Sequence, residues 1–289
     1  MKREIINLTW IAIIMILTVS CKKEKDNEGT KAVFSYVTDG YVTNFTNFST
    51  DATTYEWDFG DNSGATSTKK SPQYVYKTKG KYLVSLTAKK GDIVSTFKDT
   101  VNILGPNIKI DGDFTDWEHV EYTYVNEDNQ GGTLRAVKTF ANGKYLNFLL
   151  EGTDQMVLDV IVVHMDTDKN PDTGYKIDWL YPVASGTDYK LEGSFTGNWG
   201  GLAKHSGNPA DGWNGFSSDI ASFDETILYS PPKTVEGKKL IEFSIDRSFL
   251  GTLNGSLNFC IIENSSSYTE RGSIPATGLP DGKYAIYPL

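Results

Sequence analysis

Short runs of alternating apolar and polar residues, separated by turn-forming residues, recur through this chain and constrain its fold more than any other feature. In its first part the turn clusters return roughly every 8 to 12 residues, a spacing typical of the strands in a β-sandwich. The choice of residues leans toward Thr, Tyr, Val, Ile and Gly, which favours strands and turns. No long helical period interrupts the pattern, so we expect an all-β chain.

The predicted strands fall into two groups on either side of Gly105-Pro106, a pair of residues that marks a domain boundary. A chain of 289 residues exceeds what one hydrophobic core usually organises, so we expect two domains, over residues 32–104 and 106–289. The predicted strands are 33–37, 41–48, 55–59, 74–76, 82–88 and 93–97 in the first group, and 134–140, 145–150, 157–165, 189–195, 240–245 and 257–262 in the second.

The N-terminus carries Lys2 and Arg3 ahead of a mostly apolar stretch over residues 5–19. A membrane-spanning helix needs about 20 apolar residues, so this stretch is short for a span and typical of a secretory signal over residues 1–20. The stretch ends Leu-Thr-Val-Ser before Cys21, which resembles the lipobox of bacterial lipoproteins. The resemblance implies a lipid on Cys21, with residues 21–31 as a flexible tether. The alternative is an ordinary cleaved signal followed by an incidental cysteine.

The charge of the chain limits its partners. It carries 37 acidic and 28 basic residues, a formal net charge of −9. Such a surface repels nucleic-acid phosphates and anionic membrane faces, so nucleic-acid binding is disfavoured and membrane contact is expected only through the lipid. The surplus carboxylates are suited to calcium, whose ligands are oxygen atoms.

Three segments of the first domain share one resemblance, and they read Tyr-Glu-Trp-Asp-Phe-Gly-Asp over 55–61, Ser-Pro-Gln-Tyr-Val-Tyr over 71–76 and Gly-Lys-Tyr-Leu-Val-Ser-Leu-Thr over 80–87. Together they resemble a polycystic-kidney-disease (PKD) domain. The resemblance implies an immunoglobulin-like sandwich that serves as a spacer or adhesion module. Trp57 and Phe59 alternate toward the core of such a sandwich, which is a structural role.

Short motifs in the second domain resemble carbohydrate-binding modules of family nine. They are Ile-Asp-Gly at 110–112 with Asp-Trp at 116–117, Asp-Thr-Asp at 166–168, Thr-Gly-Tyr at 173–175, Gly-Thr-Asp-Tyr at 186–189 and Ile-Glu-Phe-Ser-Ile at 241–245. The resemblance implies a larger, jelly-roll-like β-sandwich that binds polysaccharide.

Oxygen-bearing side chains occupy every second position just after a predicted apolar strand in the second domain. They converge if the chain turns there, and calcium is bound by six to eight such oxygens, so we expect a structural Ca²⁺ site. The predicted ligands are Asp166, Asp168, Asn170 and Asp172, with Asp188 as a more distant ligand. The alternative is a hairpin stiffened by hydrogen bonds from its own Asp and Asn side chains to the backbone.

Three of the six tryptophans, Trp179, Trp199 and Trp213, fall within 35 residues. The segment from 193 to 216 also holds seven glycines, at 193, 197, 200, 201, 207, 212 and 215. A segment so flexible does not easily bury indoles, and an exposed indole matches the apolar face of a pyranose. The predicted carbohydrate-binding residues are Trp199, Trp213, Trp179, Tyr181, Phe216, His205 and Asn198.

Two alternatives stay open for this aromatic segment. A long loop can fold back with its aromatic side chains as a small core of its own. Tyr181 follows Trp179 at the same facing if the segment is a strand, so the two would share either the binding surface or the core.

No catalytic signature accompanies these aromatics. The three histidines are scattered, and neither a nucleophile elbow, a phosphate loop nor a dinucleotide fingerprint occurs. We therefore expect a non-catalytic, surface-exposed lipoprotein of the outer membrane that binds polysaccharide or oligosaccharide, similar to those of outer-membrane polysaccharide-uptake complexes. The alternative is a protein-binding or adhesion subunit of an envelope complex.

Overall fold

A computed structural model describes residues 29–183, 185–216 and 218–289. The predicted signal peptide, Cys21 and most of the predicted tether lie outside the described residues. Nearly every regular element in the described part is a β-strand, so the predicted all-β fold is confirmed. None of the helices in these ranges has the length and apolar character needed to cross a membrane.

The N-terminal sandwich consists of two small antiparallel sheets. One has the strand order β1-β2-β5 and the other β4-β3-β6-β7. Their facing sides share a core in which Trp57 is fully buried and its ring lies 5.1 Å from that of Phe34 and 5.2 Å from that of Phe45. The strands are β1 (Phe34–Asp39), β2 (Val42–Asn47), β3 (Thr54–Asp58), β4 (Thr66–Ser67), β5 (Gln73–Val75), β6 (Gly80–Lys90) and β7 (Ile93–Ile103).

The C-terminal sandwich is larger. Its strands are β8 (Tyr122–Val125), β9 (Leu134–Ala141), β10 (Tyr145–Thr153), β11 (Val160–Asp166), β12 (Tyr189–Ser194), β13 (Trp199–Lys204), β14 (Asp219–Ser222), β15 (Ile227–Tyr229), β16 (Lys233–Val235), β17 (Lys238–Asp246), β18 (Ser256–Asn264), β19 (Glu270–Ile274) and β20 (Ala285–Pro288). Its short helices are a one-turn α1 (Phe223–Thr226) and 3₁₀ segments at Phe114–Trp117, Pro209–Gly215 and Arg247–Leu250.

Two antiparallel sheets face each other in this second sandwich. The six-stranded sheet runs β15-β17-β10-β9-β8 with β16 beside β17, and the seven-stranded sheet runs β14-β13-β12-β11-β18-β19 with β20 beside β18. The apolar side chains between them form one core, in which the rings of Phe148 and Phe243 stack at 4.7 Å and Phe259 and Tyr287 meet Phe148 edge-on. The inward residues alternate with outward ones along each strand, as a two-sheet sandwich requires.

The outer face of the seven-stranded sheet has two parts. Cys260 and Ile262 alternate with core residues on β18 and therefore point outward, where they are buried in a small second cluster with Ile177, Tyr181 and Tyr284. Further across the sheet, the outward side chains of β12 are those of Lys190 and Glu192, on either side of the core residue Leu191. This second part of the outer face holds the candidate site.

The glycine-rich segment is ordered rather than pliant, which corrects the expectation of a loop. Residues 199–204 form β13, which pairs with β12 on one side and β14 on the other. A Cβ on Gly193 would lie 2.6 Å from a ring carbon of Phe223, and a Cβ on Gly201 would meet the carboxylate of Asp219. These glycines are therefore needed for close packing of neighbouring groups.

Candidate functional site

Trp213 is carried by a short, well-anchored turn above the end of β13. The 3₁₀ segment Pro209–Gly215 begins at Asn208, whose side chain accepts a hydrogen bond from the N–H of Ala210, and it kinks at Gly212, which has a φ of +54°. The ring of His205 donates from Nε2 to the Gly212 carbonyl at 3.0 Å and accepts at Nδ1 from the N–H of Gly207 at 3.2 Å. Both bonds stabilise the turn that presents Trp213.

His205 is buried, so it supports the turn and is not available to a ligand. This corrects its prediction as a carbohydrate-binding residue. A Cβ on Gly215 would lie 2.5 Å from a ring carbon of His205, which explains the glycine at that position. The ring centroid of Phe216 lies 4.9 Å from that of His205, so half-buried Phe216 packs over the histidine.

Two exposed indoles contact the same tyrosine. The ring of Tyr175 meets Trp213 edge-on with centroids 5.5 Å apart, and meets Trp179 edge-on at 6.1 Å. Trp179 is 67% exposed and Trp213 is 50% exposed, although each is among the largest apolar side chains of the chain. We name these three residues the aromatic row. Monomeric proteins rarely expose such contiguous aromatic surface without a binding role.

His164 lies beneath the aromatic row, on the outer side of β11, with its ring centroid 6.3 Å from that of Tyr175. It is paired in register with Lys190 on β12 and Cys260 on β18. Burial, and secondarily the charge of Lys190, lowers the pKa of His164 to about 3. The imidazole is therefore neutral at physiological pH and acts as packing under the row.

A chain of polar contacts runs along the sheet beside the row. Lys190 donates to Oε2 of Glu192 at 2.6 Å, and its Nζ lies 4.0 Å from the ring centroid of Trp213. The hydroxyl of Tyr268 donates to Oε1 of Glu192 at 2.9 Å. Lys190 and Glu192 point outward because Leu191 between them is in the core.

Trp199 lies at the other end of the same outer face and is 44% exposed. Its strand partner is Ser194, four residues along β12 from Lys190, which at about 3.3 Å per residue separates the two ends by roughly 13 Å. Asn198, also exposed, accepts a hydrogen bond from the hydroxyl of Tyr229 at 2.7 Å and so fixes the turn ahead of Trp199.

Tyr181 is not part of the exposed surface, which corrects its prediction as a binding residue. It is fully buried, and its hydroxyl donates to the carbonyl of Pro275 at 2.5 Å. Residues 177–181 form a turn in which the N–H groups of Leu180 and Tyr181 both bond the carbonyl of Ile177. Alternate residues of a turn do not share a face, so Trp179 and Tyr181 point apart.

Three carboxylates converge at the end of β11. One oxygen from each of Asp166, Asp168 and Asp188 lies within 4.8 Å of the other two. Asp188 accepts three bonds, from the N–H and hydroxyl of Thr167 and from the N–H of Asp168. Burial raises the pKa of Asp166 to about 6 despite hydrogen bonds from Asn258 and the N–H of Lys169.

The other two predicted metal ligands are placed differently. Asp172 is exposed and is not a member of the carboxylate group. The side-chain oxygen of Asn170 accepts a hydrogen bond from the N–H of Asp172 at 3.1 Å. This contact is a side-chain to backbone hydrogen bond of the kind expected for the alternative, a hairpin stiffened by its own Asp and Asn side chains.

The family model of the PKD domain matches residues 26–104. The PKD1 domain of Vibrio cholerae metalloprotease PrtV is 30% identical over 26% of this chain and 96% of that domain, with a TM-score of 0.24. The PKD1 domain of Vibrio anguillarum Epp is 31% identical over 28% of this chain and all of that domain, with a TM-score of 0.26. The N-terminal sandwich belongs to the PKD domain family. Every residue of the aromatic row lies outside the PKD domain.

The second sandwich is similar to a different group of solved structures. A family 9 carbohydrate-binding module from Caldicellulosiruptor kristjanssonii, in complex with cellotriose, is 14% identical over 63% of this chain and 89% of that one, with a TM-score of 0.34. No curated protein matches the chain.

Sequence reasoning missed four residues that the tertiary structure brings to the site, namely Tyr175, Lys190, Glu192 and Tyr268. The sequence pattern could have indicated Lys190 and Glu192, because two charged residues that flank an apolar residue on a predicted strand both point to the outer face. Tyr268 carries none, because it belongs to the turn between β18 and β19, more than 50 residues from Trp213 in sequence.

Proposed function

We propose that the second sandwich binds a glycan on the outer face of its seven-stranded sheet, without catalysis. The observation that carries the proposal is the aromatic row, in which two exposed indoles are held edge-on against one tyrosine. Indole faces match the C–H face of a pyranose, and rigid aromatic side chains lose little conformational freedom on binding. The exposed hydroxyl of Tyr268, which is bonded to Glu192, supplies a polar group for sugar hydroxyls nearby.

The exposure of three tryptophans also supports the proposal. Trp57 and Trp117 are fully buried in the same protein, so exposure of Trp179, Trp199 and Trp213 is a property of this face. An exposed apolar surface bordered by polar groups is the form that ligand sites take. The separation of Trp199 from the row favours a ligand of two or more sugar rings.

Retardation of the purified protein in native gels that contain a panel of soluble polysaccharides tests the proposal. We expect at least one polysaccharide to retard the protein, and Trp213→Ala and Trp179→Ala each to weaken this retardation about tenfold. Phe48→Ala is the control, because Phe48 is exposed on the PKD domain. The proposal is wrong if both tryptophan variants migrate like the parent in every retarding gel. If no polysaccharide retards the protein while a protein partner co-purifies, the adhesion role replaces it.

The cellular setting is part of the same proposal. A lipid on Cys21 anchors the chain in the outer membrane, and the PKD domain acts as a spacer that holds the second sandwich away from the membrane, beside a polysaccharide-uptake complex. The lipobox resemblance supports this setting, as does the acidic net charge of −9, which opposes direct contact with anionic lipid. We expect Cys21→Ser to move the protein from the membrane fraction to the soluble fraction. If Cys21→Ser stays in the membrane fraction, the proposal of a lipid anchor on Cys21 is wrong.

A structural Ca²⁺ ion at the carboxylate group is a separate proposal. Asp166, Asp168 and Asp188 fit the ion, because three carboxylate oxygens are brought within 4.8 Å and calcium takes carboxylate ligands. A bound cation would offset their mutual repulsion. We expect calcium to raise the melting temperature of the chelator-treated protein by several degrees, and Asp188→Asn to abolish the rise. An equal rise with magnesium, or none with calcium, would contradict a calcium site.

A further inference from the structure

The Lys190–Glu192 ion pair joins two aromatic side chains that come from distant turns. Trp213 is presented by the 3₁₀ segment after β13, and Tyr268 by the turn between β18 and β19. Lys190 contacts the face of Trp213, and Glu192 accepts from the hydroxyl of Tyr268. Both charged residues belong to β12, an interior strand of the sheet, so the pair has a rigid base.

Burial reduces the solvent screening of this pair compared with a surface ion pair. The side chains of Lys190 and Glu192 are 10% and 16% exposed, whereas exposed pairs contribute little because water screens them. The ammonium of Lys190 also lies 5.4 Å from the ring centroid of Phe216. An ammonium enclosed by two aromatic rings and a carboxylate restricts the movement of those rings.

The contact with Lys190 limits the part of Trp213 that a ligand can reach. Because Nζ lies 4.0 Å from the ring centroid, one face of the indole is taken by the ammonium. Half of the Trp213 surface stays exposed to solvent and is available to a ligand.

Tyr268 combines an exposed ring with a constrained backbone. It is 59% exposed, and its φ of +61° lies in the left-handed region that non-glycine residues rarely adopt. The bonds from the N–H of Tyr268 to Ser265 and from the N–H of Ser265 to Thr269 hold this turn. Such strain persists where the surroundings over-determine it, often at binding sites.

We propose that Lys190 and Glu192 are positioning residues that fix Trp213 and Tyr268 as two aromatic contacts of one glycan site, Tyr268 being a contact that neither the motifs nor the exposed tryptophans indicate. This inference rests on the proposed function. Fixing both rings before the ligand arrives lowers the conformational cost of binding.

Lys190→Met tests the pair, since it removes the ammonium and retains an unbranched apolar stem. We expect it to weaken retardation by the polysaccharide about tenfold and to increase acrylamide quenching of tryptophan fluorescence. The increase should be absent when Trp213→Phe is added, which assigns it to Trp213. Lys190→Arg should show the retardation and the quenching of the parent protein, because a guanidinium also pairs with Glu192 and stacks on the indole.

Lys204→Met is the matched control. Lys204 is an exposed lysine on the neighbouring strand β13, and its Nζ lies 5.6 Å from the ring of Tyr189. Tyr268→Ala completes the set, and we expect it to weaken retardation about tenfold with an unchanged melting temperature.

Normal quenching and normal retardation in a folded Lys190→Met variant would overturn the positioning role. Normal retardation of Tyr268→Ala would overturn the role of Tyr268. Increased quenching in Lys190→Met that is absent after addition of Trp213→Phe supports the positioning of Trp213 even if no polysaccharide on the panel is bound, a result that would count against the proposed function alone.

Discussion

The indole N–H of Trp117 donates to Oε2 of Glu242 at 3.1 Å, inside the protein. Both residues are fully buried, and the other oxygen of Glu242 accepts from the backbone N–H groups of Asp111 and Gly112. Glu242 lies between the core residues Ile241 and Phe243 on β17, so it points to the outer side of the six-stranded sheet. This carboxylate therefore attaches the first residues of the second sandwich to that sheet.

Removal of this carboxylate should destabilise the fold strongly. Glu242→Ala leaves the buried donors of Trp117 and Gly112 and the part-buried N–H of Asp111 without an acceptor. Each unsatisfied buried group costs about 1–3 kcal/mol. We expect the free energy of unfolding in urea to fall by at least about 3 kcal/mol. Glu121→Ala, at an exposed glutamate, should change it by less than about 0.5 kcal/mol. Similar values for the two variants would contradict the role of Glu242.

The glycines of the 193–216 segment provide a second prediction. Gly193→Ala places a methyl group against the carbonyl of Trp199 and the ring of Phe223, and overpacking of this kind costs about 1–3 kcal/mol. Gly143→Ala is the control, since a Cβ there meets nothing within 4 Å. Thermal unfolding compares the two. A Gly193→Ala variant as stable as the parent would restore the interpretation of this segment as a pliant loop.

Tyr181 and Trp213 should respond to substitution in opposite ways. Tyr181→Phe removes the buried bond to Pro275 and should lower the free energy of unfolding by about 1 kcal/mol while glycan retardation stays normal. Trp213→Ala should weaken retardation with little effect on stability, since half of its surface is already in water. Calorimetry and affinity gels on the same preparations measure both effects. Loss of retardation in Tyr181→Phe would contradict the assignment of Tyr181 to the core.

The buried His164 makes stability depend on pH. Its folded-state pKa of about 3 lies below the value of 6.5 expected for the unfolded chain, so the unfolded chain takes up the proton first as the pH falls. The contribution of His164 is complete above pH 6.5 and is lost as the pH falls toward 3, at up to about 1.4 kcal/mol per pH unit. Urea unfolding at several pH values should show a shallower loss for His164→Gln than for the exposed-site control His119→Gln. Equal slopes would contradict this account.

The linear pattern was enough to predict the strand-rich architecture and the exposure of two indoles. Alternation with a period of two placed Trp57 and Phe59 inside the PKD domain, where both are buried. The clustering of Trp199 and Trp213 in a polar, glycine-rich context predicted their exposure, and the structure agrees. Local composition suffices for such features because burial follows from side-chain chemistry and strand period.

Other site features depended on which distant strands become neighbours. The period-two argument for Tyr181 failed because residues 177–181 form a turn, and no local pattern distinguishes that turn from a strand end. The glycines of β13 were misread because the same residue suits a flexible loop or a crowded contact, and Phe223 and Asp219 decide between these only after folding. The meeting of Tyr268, Glu192, Lys190 and Trp213 likewise requires the sheet order.

The amino-acid sequence by itself determined that this chain is built from strands, that its N-terminal part is a PKD domain and that its unusual aromatic residues collect in the second half. Only the tertiary structure decided which of those aromatics share a surface, which carboxylates converge and which charged residues hold the rings. The physical reason is that hydrophobic alternation is a property of residues adjacent in the sequence. Contact between turns more than 50 residues apart depends instead on strand register and sheet order.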